Sequence, residues 1–69
     1  MEDLMDIRVI THIWKVGDRF YKLSDKYYNN PNYWWILAWF NHKPLETDIS
    51  LGEIINIPLP LDEMLYYFR

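Results

Sequence analysis

The stretch Tyr33-Trp34-Trp35-Ile36-Leu37-Ala38-Trp39-Phe40 constrains this chain more than any other feature. A helix built from eight successive apolar residues shows no polar side at any angle, so it must be covered from more than one direction. The run falls well short of the ~20 residues a helix needs to cross a bilayer, so the expected cover is protein. Yet the whole chain has only 69 residues, room for one small core. A domain of that size buries roughly 60 per cent of the surface its unfolded chain exposes, and such folds lean on disulfides, metals or partners. There is no cysteine. His12 and His42 stand apart, without ligands at zinc spacing. Partners are therefore the expected supplement, and no cofactor or metal is implied.

Charge narrows the partners. Seven basic against ten acidic residues give a formal charge of −3, and the Lys and Arg residues are scattered, which argues against a nucleic-acid role. The opening Met1-Glu2-Asp3-Leu4-Met5-Asp6 has neither the positive start nor the apolar stretch of a secretory signal, so synthesis and retention in the cytoplasm are expected, with no membrane association.

Along the chain, Ile10, His12, Trp14 and Val16 share one parity, predicting a half-buried strand over Arg8 to Val16. Gly17-Asp18 interrupts it, and Asp18 is placed to cap a following helix. Phe20, Leu23 and Tyr27 would form that helix's apolar stripe. Asn29-Asn30-Pro31 should break it and start a second, antiparallel helix from about Pro31 to Asn41, stopped before Pro44. A loop from Pro44 to Ser50 and a turn at Leu51-Gly52-Glu53 lead into a β-branched strand, Ile54 to Pro58. Acidic Asp62 and Glu63 favour one more helical turn near the end. The order is β-α-α-β, an α+β fold with a two-stranded antiparallel sheet, both helices on one face, and a C-terminal extension. Residues 1–7 read as an arm, 8–58 as the domain and 59–69 as a docking tail.

The joints of this arrangement resemble a LysM domain from Ile13 to Pro58. The matching pieces are Trp14-Lys15-Val16-Gly17-Asp18 with Phe20 and Leu23, then Lys26-Tyr27-Tyr28-Asn29-Asn30-Pro31, then Trp34, Leu37, Ala38 and Asn41, and finally Ile49, Gly52, Ile55, Ile57 and Pro58. The doubled tyrosine, the Asn-Pro turn and the paired tryptophans are more similar to the LysM-like proteins of phage tails and baseplates than to cell-wall modules. That resemblance implies a rigid peg in a virion, whose neighbours would be other tail or baseplate proteins and, in a symmetric assembly, copies of itself. The alternative within the family is a module that binds peptidoglycan or another N-acetylglucosamine polymer. Two departures weigh against sugar: Arg19 replaces the polar threonine usual after Gly-Asp in the family, and Leu51 replaces the proline usual before the second glycine.

On the second helix, the stripe Trp34, Leu37, Ala38 and Asn41 is expected to face the core, leaving Tyr33, Trp35, Ile36, Trp39 and Phe40 outside it. Four surplus aromatics at ~150–250 Å² each amount to roughly 600–1,000 Å². Monomers rarely expose more than ~300–600 Å² in one patch, while each side of a standard interface contributes ~800 Å². Two covers remain open: the tail folded back, or a partner. The candidate partner-binding set is therefore Tyr33, Trp35, Ile36, Trp39 and Phe40 with Leu65, Tyr66, Tyr67 and Phe68 of the tail. Asn41 reads as a structural hydrogen bonder of the helix end. No nucleophile, base or phosphate-binding glycine loop stands out, so the chain is not expected to be an enzyme.

Overall fold

The computed structural model describes residues 7–66 and 68. Ile7 packs half-buried on the core, and the rest of the expected N-terminal arm, like Tyr67, lies outside the described residues. The elements are β1 (Arg8–Ile13), α1 (Phe20–Tyr28), a 3-10 turn (Pro31–Tyr33), α2 (Trp34–Phe40), a second 3-10 turn (Glu46–Asp48), β2 (Ile54–Leu59) and α3 (Leu61–Tyr66). The strands pair antiparallel from Arg8 opposite Leu59 to Ile13 opposite Ile54. The α+β, β-α-α-β architecture expected from the sequence is what the chain adopts, with α3 as its C-terminal addition.

β1 stops earlier than the alternation predicts. The turn before β2 closes on Trp14, whose N–H donates to the Glu53 carbonyl at 2.9 Å and whose carbonyl accepts from Gly52 N–H at 2.9 Å. Beyond it the chain turns sharply, Asp18 N–H reaching the Lys15 carbonyl at 3.0 Å, and Val16 is carried off the sheet to 84% exposure. Gly17, at φ +90°, supplies the left-handed backbone that this turn requires.

Asp18 does not cap α1. Its carboxylate turns back toward β1, accepting the Lys15 N–H at 2.8 Å and meeting His12 Nε2 at 2.8 Å. The helix begins two residues later, and its Phe20 N–H donates instead to the Glu46 carboxylate, twenty-six positions away. A distant side chain has taken the place of the local cap, a choice invisible to any nearest-neighbour rule. The buried stripe of α1 is Phe20, Leu23, Ser24 and Tyr28, with Tyr27 only half-buried, so the expected Tyr27 gives way to its neighbour. Tyr28 wins because its hydroxyl reaches the Pro58 carbonyl at 2.7 Å, while buried Ser24 donates to the Asn30 carbonyl.

The break between the helices is as expected. Asn29 adopts the left-handed conformation at φ 58°, and Asn30 Oδ1 accepts from Asn32 N–H at 2.9 Å ahead of Pro31. At the other end of α2, His42 is left-handed at φ 56°; its N–H bonds the Trp39 carbonyl at 3.2 Å and Lys43 N–H bonds the Ala38 carbonyl at 3.0 Å. These crossed bonds form a Schellman close, so the helix ends on its own hydrogen bonds before Pro44 is reached.

The core joins Ile55 and Ile57 of β2, Phe20 and Leu23 of α1, Ile36, Leu37 and Ala38 of α2, Trp14, Ile49 and Met64. Met64 brings α3 into the domain, so part of the tail is structural. Past the loop, Lys43 Nζ sits 2.9 Å from Glu53, whose carboxylate also accepts the Ser50 N–H at 3.0 Å. The Ser50 bond first, and Lys43 second, hold the Glu53 carboxyl below its ordinary pKa.

Candidate partner-docking surface

On α2 the structure keeps Leu37, Ala38 and Asn41 of the expected inward stripe and exchanges two residues. Ile36, assigned to the outward set, is 0% exposed, and Trp34, assigned to the core, is 45% exposed. The buried residues of α2 are Ile36, Leu37 and Ala38, with Tyr33, Phe40 and Asn41 half-buried beside them. Asn41 sets the phase. Its Nδ2 donates to the Leu37 carbonyl and the Asn56 carbonyl, both at 2.8 Å, and its Oδ1 accepts from Asn56 N–H at 2.7 Å. The amide thus occupies the place a neighbouring strand's peptide would take, and ties the end of α2 to β2. Among candidates that are all apolar, the position of one side-chain amide decides which way the helix faces.

With that phase, Trp35 and Trp39, one turn apart, stand on the outer side of α2. The tail returns to them. Phe68 N–H continues the last turn of α3 to the Leu65 carbonyl at 3.0 Å, and its ring lies edge-on against both indoles, with centroids 5.0 Å from Trp35 at 77° and 5.1 Å from Trp39 at 75°. Tyr33 flanks Trp35 at 6.3 Å and Phe40 flanks Trp39 at 6.2 Å. Edge-to-face contacts hold the rings in place while covering only part of each. Trp35, Trp39 and Phe68 remain 37%, 51% and 43% exposed. Of the candidate set, the structure brings Trp35, Trp39 and Phe68 into one cluster, leaves Tyr33, Phe40 and Leu65 half-buried beside the core, and exposes Tyr66. Ile36 leaves the set.

A second concavity lies on another side of α2. Phe20 and Tyr21 of α1, Trp34 at the head of α2, and Pro44, Leu45 and Glu46 of the loop line a cleft of about 330 Å³, mostly apolar. Glu46 is already engaged there by the Phe20 N–H and lies 3.9 Å from Arg19 Nε. Tyr21 could have been noticed in the sequence, being an aromatic off the α1 stripe. Trp34 could not, because nothing in an all-apolar run separates it from its neighbours.

His12 and Asp18 form a close pair of titratable side chains with acid–base chemistry. Burial alone pushes the Asp18 carboxyl up, but the bond to His12, the Lys15 N–H and the nearby charges outweigh it and hold the group below its ordinary value. Tyr27 lies edge-on to the His12 ring at 6.3 Å. The pair fastens the β1–α1 turn to the strand. Among the described residues no group of three His, Cys, Asp or Glu side chains is placed to hold a metal ion, and no helix is long and apolar enough to cross a membrane. Comparison of the chain with protein-family models, curated proteins and solved structures finds no match.

Proposed function

We propose that this chain is a LysM-like structural adaptor of a phage virion, a non-enzymatic component of the tail baseplate that binds neighbouring proteins through α2 and its C-terminal tail. The observation that carries this reading is the cluster of Trp35, Trp39 and Phe68, which stays exposed after the tail has folded back on it. Among the described residues it is Phe68 of the tail that lies against both indoles, and it orients them without enclosing them. Trp and Tyr are the side chains most enriched at interface hot spots, because they bury a large area at a small cost in rotamer freedom. The β-α-α-β order and the four sequence pieces shared with LysM domains support the peg-like role, and its partners would be other baseplate proteins or copies of the chain in a symmetric ring.

The test is incorporation into particles. Replacing Trp35 and Trp39 by Ser is expected to leave the isolated domain folded by circular dichroism while removing it from assembled virions. Unchanged incorporation of a folded double variant would end the reading.

The cleft between Tyr21, Trp34 and Leu45 favours a second reading, a module for N-acetylglucosamine polymers, because exposed rings flanking an apolar cleft can stack on sugar faces. Retention on purified cell wall, competed by short N-acetylglucosamine oligomers and lost on Trp34→Ala, would favour it over the adaptor. The two readings use different sides of the same helix, so the Trp35/Trp39 and Trp34 variants separate them.

A further inference from the structure

The two outer edges of the sheet are treated differently. On β2, the Asn56 N–H and carbonyl point away from β1 and are taken by Asn41, the Pro58 carbonyl is taken by the Tyr28 hydroxyl, and Pro58 has no N–H to offer. That edge is closed. Because Thr11 is paired opposite Asn56, with Val9 opposite Pro58 and Ile13 opposite Ile54, the peptide groups of Val9, Thr11 and Ile13 must point the other way, out of the β1 edge. None of them has a hydrogen-bond partner among the described residues. The side chains of Val9, Thr11 and Ile13 are exposed as well, as is Ile54 on the same open face. Edge strands are normally blunted by a proline, a bulge or a charged residue, and from Val9 to Ile13 this one carries no proline, no bulge and no Lys, Arg, Asp or Glu.

We propose that the β1 edge receives an extended segment of a partner protein as a third strand, with acidic residues at the two ends of the segment. The hydrogen-bond pattern specifies the backbone of the occupant: donors and acceptors repeating every second residue are matched along their length only by another strand. Charge specifies its ends. Among the described residues, the exposed charged side chains flanking the edge are Arg8 and Lys15, both basic and neither in an ion pair there, whereas Asp18 is turned inward to His12. A second copy fits worse, since antiparallel pairing about Thr11 would set Arg8 of one chain beside Lys15 of the other at each end of the joint. At ~3.3 Å per residue, carboxylates roughly 20 Å apart would face both cations.

The intact chain is titrated with the peptide Glu-Val-Thr-Val-Ser-Val-Thr-Glu and, separately, with the same peptide carrying Lys at both ends, while amide exchange is followed by NMR. The Glu-ended peptide is expected to slow exchange at Val9, Thr11 and Ile13 by about tenfold or more and to bind about tenfold tighter than the Lys-ended one at low salt. Arg8→Glu with Lys15→Glu, both at exposed positions outside the core, should invert that preference and keep the fold. Three results would overturn the proposal: no protection at those three amides with either peptide, equal binding of the two peptides, or protection that appears without peptide and grows with protein concentration, which would assign the edge to a second copy.

Discussion

Ile36 and Trp35 are adjacent in sequence and opposite in fate. One is sealed between α2 and the sheet, the other stands 37% exposed on the far side of the same helix. Both are apolar, so hydrophobicity does not separate them; shape and reach do. An isoleucine fits the narrow space between a helix and two strands. An indole fits there only at the expense of several neighbours, and does better on the rim, where it can lean on Phe68. Around α2 the core takes Ile36, Leu37 and Ala38 and leaves Trp34, Trp35 and Trp39 at the surface, although the rings of Trp14 and Phe20 are buried elsewhere in the same core.

The sharpest way to break this comparison is to cut each side separately. Ile36→Ala should cost about 2–5 kcal/mol, enough to unfold much of a small domain, and urea denaturation reads it directly. If Ile36→Ala proved no worse than Trp35→Ser, the assignment of inner and outer sides would be reversed. Asn41→Ala should come next, at about 1–3 kcal/mol, since it strips the Asn56 peptide of both its partners and frees the phase of α2; its signature besides lower stability is faster exchange of the Asn56 amide. Phe68→Ala should cost about 1 kcal/mol or less while raising acrylamide quenching of the tryptophan fluorescence, because it uncovers the parts of Trp35 and Trp39 that its ring touches and leaves the core intact.

The smallest effect concerns pH. The Asp18 carboxyl titrates below 3.8 in the folded chain, so its contribution to stability is complete above that value and is lost as pH falls through the lowered folded pKa. Thermal melts taken from neutral pH down to about pH 2 should therefore show part of their acid destabilisation vanish in Asp18→Asn. At the alkaline end the sign is opposite. Burial raises the Tyr28 pKa above its ordinary 10.0, so stability is full below pH 10 and declines as the unfolded chain ionises above it.

Much of the fold was legible because it depends on local punctuation. Asn29-Asn30-Pro31 can hardly do anything but end one helix and start another, since Asn29 tolerates the left-handed backbone and Pro31 cannot continue a hydrogen-bonded turn. Ile54 to Pro58 is rich in β-branched residues and forms the strand, which runs one residue past the expected proline stop to Leu59. The site was legible only in outline. An excess of aromatic residues on α2 and the tail is visible in composition alone, but Ile36 and Trp34 were exchanged because an all-apolar helix has no periodicity from which to read its rotation. Asp18 was misassigned for a related reason: its carboxylate had two possible uses, and the competing cap, Glu46, is remote in sequence.

By itself, then, the order of amino acids determined the succession of elements, the positions of the breaks and the presence of more ring surface than so small a body can bury. Those properties follow from backbone preferences and from the ratio of surface to volume, which act residue by residue. Only the tertiary structure decided which side of α2 faces inward, which carboxylate caps α1 and which edge of the sheet stays open. Each of these turns on a hydrogen bond between residues far apart in the chain, Asn41 with Asn56, Glu46 with Phe20, Tyr28 with Pro58, and such bonds come into being only when the folded chain brings their partners together.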